Sequence, residues 1–203
     1  VQIDDQLPAV KPLNGRDDIR RVVRAGLSAL DTGHAASVLA FQRYFLDALS
    51  VVRGSVRIFL SDTQGPLSNA LQLWGADLYA ALVEEPSLVH ELLDLLTQAI
   101  IGFTRLQKRN VGESETSADH FFYAVPGGIR IVDDVAMNLS PAMYREFCVP
   151  YHERLYAAFG GGYMHYCGHK LQSHALRLAT EGLRGIEMGF DNPERSAAYT
   201  LEA

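Results

Sequence analysis

The feature that most constrains this chain is an alternation of short apolar segments with longer segments of helical periodicity. The apolar segments predict β-strands at residues 55–60, 129–134, 163–168 and 185–189, and a helical pattern follows each of them. An alternation of this kind predicts a parallel α/β sheet. Because a closed barrel of eight such units typically needs about 250 residues, four strands in 203 residues predict a segment of a barrel.

The expected organisation is a single domain over residues 1–203, with a helical lead-in over 1–54 and the β/α units over 55–203. Residues 121–128 fit neither pattern and are interpreted as an extended excursion from these units. The chain starts at Val1 rather than at a methionine, and its last residues have the pattern of a helix interior. We therefore expect both ends to lie inside a longer protein.

Composition and charge exclude several classes of protein. The formal net charge of -6 argues against nucleic-acid binding, which needs a basic surface. Charges interrupt the apolar stretches, so a membrane span is not expected, and the acidic start does not resemble a signal peptide. The two cysteines, Cys148 and Cys167, do not make a disulfide framework. We therefore expect a cytoplasmic protein that acts on a small molecule, without nucleic acid or membrane.

Acidic and polar residues occur at the predicted strand ends, where barrels of this type bind their ligands. Each acid alone is more often a helix cap or a loop residue, and Asp133 or Asp134 could cap the segment that follows. Together, however, the acids would face one mouth. Asp62 and Gln64 could hold a pyrrole N–H or an amide, and His169 could form a hydrogen bond near the mouth. The candidate catalytic residues are Asp62, Asp133 and Glu187, and the candidate substrate-binding residues are Gln64, Asp134 and His169.

A histidine and a cysteine two residues apart form the candidate metal site. His165 and Cys167 lie on the third predicted strand, where residues i and i+2 point to the same face. An imidazole and a thiolate supply two of the three protein ligands that a catalytic zinc site uses. Glu187 could be a further ligand, an outer partner of His165 or a general acid. A buried cysteine beside a hydrogen-bonded histidine is the alternative interpretation of the pair.

A series of motifs in a fixed order resembles the uroporphyrinogen decarboxylase superfamily, from about residue 55 onward. The series consists of Gln64-Gly65-Pro66-Leu67, Glu85-Pro86-Ser87-Leu88-Val89-His90, Ser140-Pro141, Phe147-Cys148-Val149-Pro150-Tyr151 and the glycine-rich turn before His165. The resemblance implies a TIM (β/α)8 barrel, of which this chain would be a central segment. It also implies an enzyme, because the superfamily contains the cofactor-free decarboxylase of the heme pathway and corrinoid- and thiol-dependent methyltransferases.

The two kinds of enzyme match this chain unequally. The methyltransferases, including methylcobamide:coenzyme M methyltransferase, bind zinc through a His-x-Cys pair and a more distant cysteine. His165 and Cys167 match that pair, and the third ligand would lie beyond Ala203. The decarboxylase's arginine-bearing N-terminal segment has no counterpart, and Gln72 or a neighbour stands where that enzyme has a catalytic tyrosine.

The resemblance therefore favours zinc-dependent methyl transfer between a corrinoid, or another methyl donor, and a thiol. One alternative is cofactor-free decarboxylation of a tetrapyrrole, as in porphyrin biosynthesis. The other is a non-catalytic barrel that binds a tetrapyrrole or a corrinoid. On the favoured interpretation zinc is the cofactor, and a corrinoid is either the substrate or the cargo of a partner protein. A homodimer is left open.

Overall fold

The structure is a computed structural model, and it describes residues 13, 15–49, 57–120, 123–166 and 177–188. The helices are α1 (Arg16–Ala25), α2 (Gly33–Ala48), α3 (Pro66–Trp74), α4 (Asp77–Glu84), α5 (Pro86–Val111), α6 (Pro141–Phe147) and α7 (Val149–Ala158). The strands are β1 (Ala118–His120), β2 (Tyr123–Val125), β3 (Ile129–Val132), β4 (Gly162–Tyr166) and β5 (Leu183–Met188), and a short 3-10 helix, Asp134–Asn138, follows β3. No helix in these residues combines the length and the apolar character that crossing a membrane requires.

Strands β3, β4 and β5 form a parallel sheet with β4 in the centre. Val132 of β3 pairs with His165 of β4, and His165 pairs with Glu187 of β5. Helices α6 and α7 connect β3 to β4, as a parallel pair of strands requires. The prediction of an α/β fold with a parallel sheet is confirmed. The sheet that the described residues form is open and does not close into a barrel.

The first predicted strand is wrong for its described part, residues 57–60, which have no strand structure. The parallel pairing with β3 occurs a few residues later, where Gln64 forms a bridge with Val132. There the Gly65 amide donates to the Val132 oxygen at 2.7 Å, and the Val132 amide donates to the Thr63 oxygen at 3.0 Å. An extended segment becomes a strand only where it finds a hydrogen-bonded neighbour, and β3 meets this segment only at the turn that follows it.

The helix predicted after Ser140 is divided into α6 and α7. Ser140 caps α6, because its Oγ accepts a hydrogen bond from the Met143 amide at 3.2 Å. Cys148 separates the two helices, and Pro150 lies in the first turn of α7. Proline lacks an amide hydrogen and is tolerated in a first turn but not in a helix interior. The kink predicted at Pro150 is therefore a complete break just before it.

The apolar core of the sheet lies on one of its faces. Ile129 and Ile131 of β3 and Met164 of β4 pack against Leu155 of α7 and against Phe159, the residue that follows this helix. Side chains of helices α3, α4, α5 and α6 contribute to a second apolar cluster. Helices therefore cover this face, which we call the outer face of the sheet.

The opposite face of the sheet carries charged side chains. Because side chains alternate along a strand, Arg130, His165 and Glu187 point away from the apolar residues that flank them in sequence. We call this the inner face. The antiparallel pair of β1 and β2 lies beside the inner face. His120 of β1 contacts Asp62, which binds Arg130, and Tyr123 of β2 contacts Glu187.

Candidate functional site on the inner face of the sheet

Arg130 is the centre of the charged group on the inner face. Its Nη1 donates to Asp62 Oδ1 at 2.8 Å, and its Nη2 donates to Glu187 Oε2 at 3.0 Å. The Arg130 side chain is only 9% exposed, whereas Asp62 and Glu187 are 54% and 36% exposed. The guanidinium thus joins the segment before α3 to the last described strand. Two carboxylates and one guanidinium leave this group with one net negative charge.

His165 lies against the same carboxylate as Arg130. Its Nδ1 is 3.4 Å from Glu187 Oε2, and its side chain is 18% exposed. The contact follows from register, because the two residues are paired on neighbouring strands and point to the same face. Burial raises the pKa of Glu187, but the hydrogen bond and charge of Arg130, with a contribution from His165, lower that pKa below its ordinary value. The ionised Glu187 carboxylate therefore lies against both the Arg130 guanidinium and the His165 ring.

Four aromatic side chains surround these charges, and we call them the aromatic row. They are Phe59, His120, Tyr123 and Tyr163, and consecutive rings meet edge to face with centroids 6.0, 6.1 and 6.5 Å apart. His120 Nδ1 is 3.6 Å from Asp62 Oδ1, and Tyr123 Oη donates to Glu187 Oε2 at 3.5 Å. Burial, and then the charge of Arg130, lowers the pKa of His120.

The position of Tyr163 in the aromatic row depends on a glycine. Tyr163 pairs with Gly185 across β4 and β5. A Cβ at residue 185 would lie 2.6 Å from Cδ2 of the Tyr163 ring, which is closer than two carbons approach. The ring can therefore lie against β5 only because residue 185 has no side chain.

Asp133 does not join the other predicted acids, and the expectation that it shares their rim is wrong. It is 0% exposed on the outer face, where its Oδ2 lies 2.9 Å from Nε2 of His152, also 0% exposed. Ser68 Oγ donates to Asp133 Oδ1 at 3.0 Å, and Tyr144 Oη lies 3.4 Å from His152 Nδ1. Asp133 follows Val132 by one residue and so points to the helical side of the sheet. We call these four residues the buried polar cluster.

The remaining predicted residues do not join the charged group around Arg130. Asp134 lies in the first turn of the short 3-10 helix and is half-buried. Gln64 accepts a hydrogen bond from Asn69 Nδ2 through its backbone oxygen at 2.8 Å. Cys167 and His169 lie outside the described residues. The structure thus brings together Asp62, His165 and Glu187 from the predicted set.

A cavity of about 470 Å³ opens on the other side of Asp62. Its polar lining includes Asp62, Gln64 and Gln72, and its apolar wall includes Leu30 of the α1–α2 loop. Leu30 sits over Gly102 of α5, where a Cβ would lie 2.3 Å from Leu30 Cδ1. Leu30 can therefore occupy this part of the cavity wall only because residue 102 of α5 has no side chain.

Sequence reasoning did not identify Arg130, His120 or Tyr123 as site residues. A signal for Arg130 was present, because a charge between Ile129 and Ile131 indicates that one face of β3 is not apolar. No comparable signal marked the hairpin residues, because β1 and β2 have three residues each and no regular alternation of apolar and polar side chains.

Of the two predicted metal ligands, His165 lies within the described residues and Cys167 does not. No three His, Cys, Asp or Glu side chains converge as metal ligands within this part of the chain. His165 does have the surroundings of a metal-binding histidine, because such residues usually direct one ring nitrogen at a carboxylate and the other at the metal. The contact of His165 with Glu187 is therefore compatible with a metal-binding role for this histidine.

One of the comparisons with known proteins identifies a family. The model of the family "Uroporphyrinogen decarboxylase (URO-D)" matches residues 33–196. A methyltransferase from Methanosarcina mazei has a similar structure, with a TM-score of 0.62 at 20% identity over 80% of this chain and 44% of that chain. This chain thus spans less than half the length of that methyltransferase. No curated protein matches it in sequence. The family match covers most of the chain, and the chain belongs to the uroporphyrinogen decarboxylase superfamily, which includes methyltransferases.

Proposed function

We propose that this chain is part of a zinc-dependent enzyme that transfers a methyl group from a corrinoid, or another methyl donor, to a thiol. On this proposal the parallel sheet is a segment of a TIM (β/α)8 barrel, and its inner face lines the mouth. A corrinoid would be free or carried by a partner protein. The observation that carries the proposal is the contact between His165 Nδ1 and Glu187.

The contact supports metal binding because it leaves the second ring nitrogen of His165, Nε2, available as a ligand. An ionised Glu187, 3.4 Å from Nδ1, favours a proton on that nitrogen and leaves the lone pair on Nε2. The lowered pKa of Glu187 keeps the carboxylate ionised at neutral pH. Bound zinc supplies a Lewis acid that holds a thiol as its thiolate. His165 and Cys167 would hold it, and Glu187 would fix the imidazole ring.

The charge of the inner face favours this proposal over tetrapyrrole decarboxylation. A tetrapyrrole with several carboxylates needs cations that pair with it. Arg130 is such a cation, but Asp62 and Glu187 already occupy both of its Nη atoms. An approaching polyanion would also meet the two carboxylates. The described part of the mouth therefore suits a neutral or cationic substrate better than a polyanion.

Zinc content tests the proposal in the full-length protein. After dialysis against dilute chelator, elemental analysis should find zinc in the wild type and much less in Cys167→Ala and His165→Ala. Cys148→Ala and His34→Ala are the matched controls, since Cys148 is buried behind the sheet and His34 lies on the exposed side of α2. Both controls should retain zinc.

A second measurement tests the role of Glu187. Glu187→Gln should weaken zinc affinity by about 10- to 100-fold, as the loss of an outer partner of a histidine ligand usually does. Thioether formation from a thiol and the methyl donor that the wild type accepts, methylcobalamin or another, should fall with zinc content across the variants. Equal zinc in wild type, His165→Ala and Cys167→Ala would overturn the proposal and favour the decarboxylase or the non-catalytic barrel.

A further inference from the structure

We propose that the methyl donor is an onium compound, a quaternary ammonium or a sulfonium, and that the aromatic row binds its methylated centre. The inference deepens the proposed function, on which it rests, because it names the donor that the function leaves open. It depends on three features of the inner face: aromatic rings, an excess of negative charge and access from solvent.

The aromatic rings form walls that suit a methylated cation. Tyr123 stands edge to face with both His120 and Tyr163, at interplanar angles of 81° and 65°. The two contacts bring three aromatic rings together in one patch. A cation within about 6 Å of a ring face is attracted by the negative π-surface, and quaternary ammonium groups are commonly recognised in this way. Tyr123 is 43% exposed, so a ligand can reach its ring, whereas His120 is only 4% exposed.

The charges beside the aromatic row select the sign of the ligand. Glu187 and Asp62 contact the two middle members of the row, Tyr123 and His120 respectively. Arg130 offsets one of these two negative charges. The lowered pKa of His120 keeps its imidazole neutral at neutral pH, so it adds no positive charge. One unbalanced negative charge therefore lies beside the aromatic walls, which attracts a cation and repels an anion. A zinc ion held with the Cys167 thiolate and a substrate thiolate would leave this balance unchanged, because two thiolates offset its two positive charges.

An onium donor also balances the transfer step. The thiol has lost its proton before the step, and its thiolate sulfur attacks a methyl carbon of the onium. A sulfur–carbon bond forms, and the bond from that carbon to nitrogen or sulfur breaks. The bonding electron pair stays on the leaving atom, so a tertiary amine or a thioether departs neutral. No oxidant or reductant is needed. The neutral product loses its attraction to the aromatic walls and to Glu187, which promotes its release.

A charged and a neutral ligand of the same shape test the inference. Choline and 3,3-dimethylbutan-1-ol differ only in nitrogen versus carbon at the branched centre. In calorimetric titrations of the full-length protein, we expect choline to bind at least about tenfold more tightly, because only choline gains cation–π contacts and the attraction of Glu187. Equal affinity for the two ligands would overturn the inference.

Variants of the aromatic row locate the binding. Tyr123→Leu should weaken choline binding by about two- to fivefold, and Tyr123→Phe, which keeps the ring, should change it much less. Tyr44→Leu is the control, since Tyr44 is an exposed tyrosine on α2, on a different element. An equal loss in Tyr123→Leu and Tyr44→Leu would contradict the assignment. Trimethylsulfonium should then serve as donor in an assay for the methylated thiol.

The two proposals fail separately in these experiments. Zinc binding with methyl transfer from methylcobalamin, but no preference for choline, would overturn the onium inference and leave the proposed function standing. A preference for choline that depends on Tyr123, in a protein without zinc, would support onium binding and overturn the zinc enzyme.

Discussion

The sheet carries an acid–histidine pair on each of its faces, and the two pairs differ in their burial and in their further partners. On the inner face, Glu187 and His165 are 36% and 18% exposed, and the Glu187 carboxylate also binds Arg130. On the outer face, Asp133 and His152 are 0% exposed and bound to Ser68 and Tyr144. The distance between acid and imidazole is shorter in the buried pair. Proximity alone therefore does not indicate chemistry, since only the inner pair can meet a ligand.

The largest expected contrast between the two pairs is in stability. Asp133→Ala should lower the free energy of unfolding by about 3–5 kcal/mol, because it leaves His152 and Ser68 buried without their partner. Glu187→Ala should cost about 1 kcal/mol or less, because the residue is partly exposed and Arg130 keeps Asp62. Urea denaturation followed by far-UV circular dichroism measures both. Equal losses would mean that the inner pair is structural as well.

Ser68→Ala should have an intermediate effect that sharpens the assignment of the buried polar cluster. The hydroxyl donates the hydrogen bond to Asp133 Oδ1, and its loss leaves that buried oxygen short of a donor. We expect a loss of about 1–2 kcal/mol in the free energy of unfolding. Ser117→Ala, at an exposed hydroxyl, should change it by about 0.5 kcal/mol or less. A neutral Ser68→Ala would show that Asp133 finds another donor.

His120, on the inner side of the sheet, should have a smaller effect, on how the stability of the protein depends on pH. The pKa of His120 is lowered in the folded protein by burial and Arg130, so the unfolded chain binds a proton more readily. Stability should therefore fall as the pH drops below about 6.5, the ordinary pKa of histidine. Melting temperatures between pH 5 and 8 should show a shallower acid loss in His120→Gln than in wild type. His34→Gln, at an exposed histidine, should keep the wild-type slope.

The smallest effect concerns the thiol behind the sheet. Burial raises the pKa of Cys148 well above its ordinary value, so little of the reactive thiolate forms. In a Cys167→Ser background, Cys148 should not react with a disulfide reagent at pH 8 until the protein is denatured. Absorbance of the released thiolate measures the reaction. Rapid reaction in the native protein would show that the outer face opens.

The parts of the fold that depend on local chemistry could be predicted from the sequence. Pro86 and the apolar period that follows it indicated α5, and Ser140 before Pro141 indicated the start of α6. The strands β3 to β5 were recognisable as apolar segments, although β5 begins two residues earlier than expected. Each of these signals lies within a few residues of the element that it specifies.

The parts that depend on register and distant partners could not be predicted. Asp133 and Glu187 both lie at or after strand ends, and only the direction of the side chain decides which meets solvent and which meets His152. The hairpin residue His120 acquires its place beside Asp62 through a contact between segments 58 residues apart. No local pattern contains that information.

The contact of Leu30 with Gly102 makes the size of the cavity beside Asp62 adjustable by one residue. A methyl group on α5 at residue 102 would overlap the end of the Leu30 side chain and force it to another rotamer. The wall would shift while the amides and carboxylate that line the cavity kept their positions. Relatives of this protein could therefore change the bulk of the molecule they admit through a glycine-to-alanine exchange on a helix, without altering a single polar group.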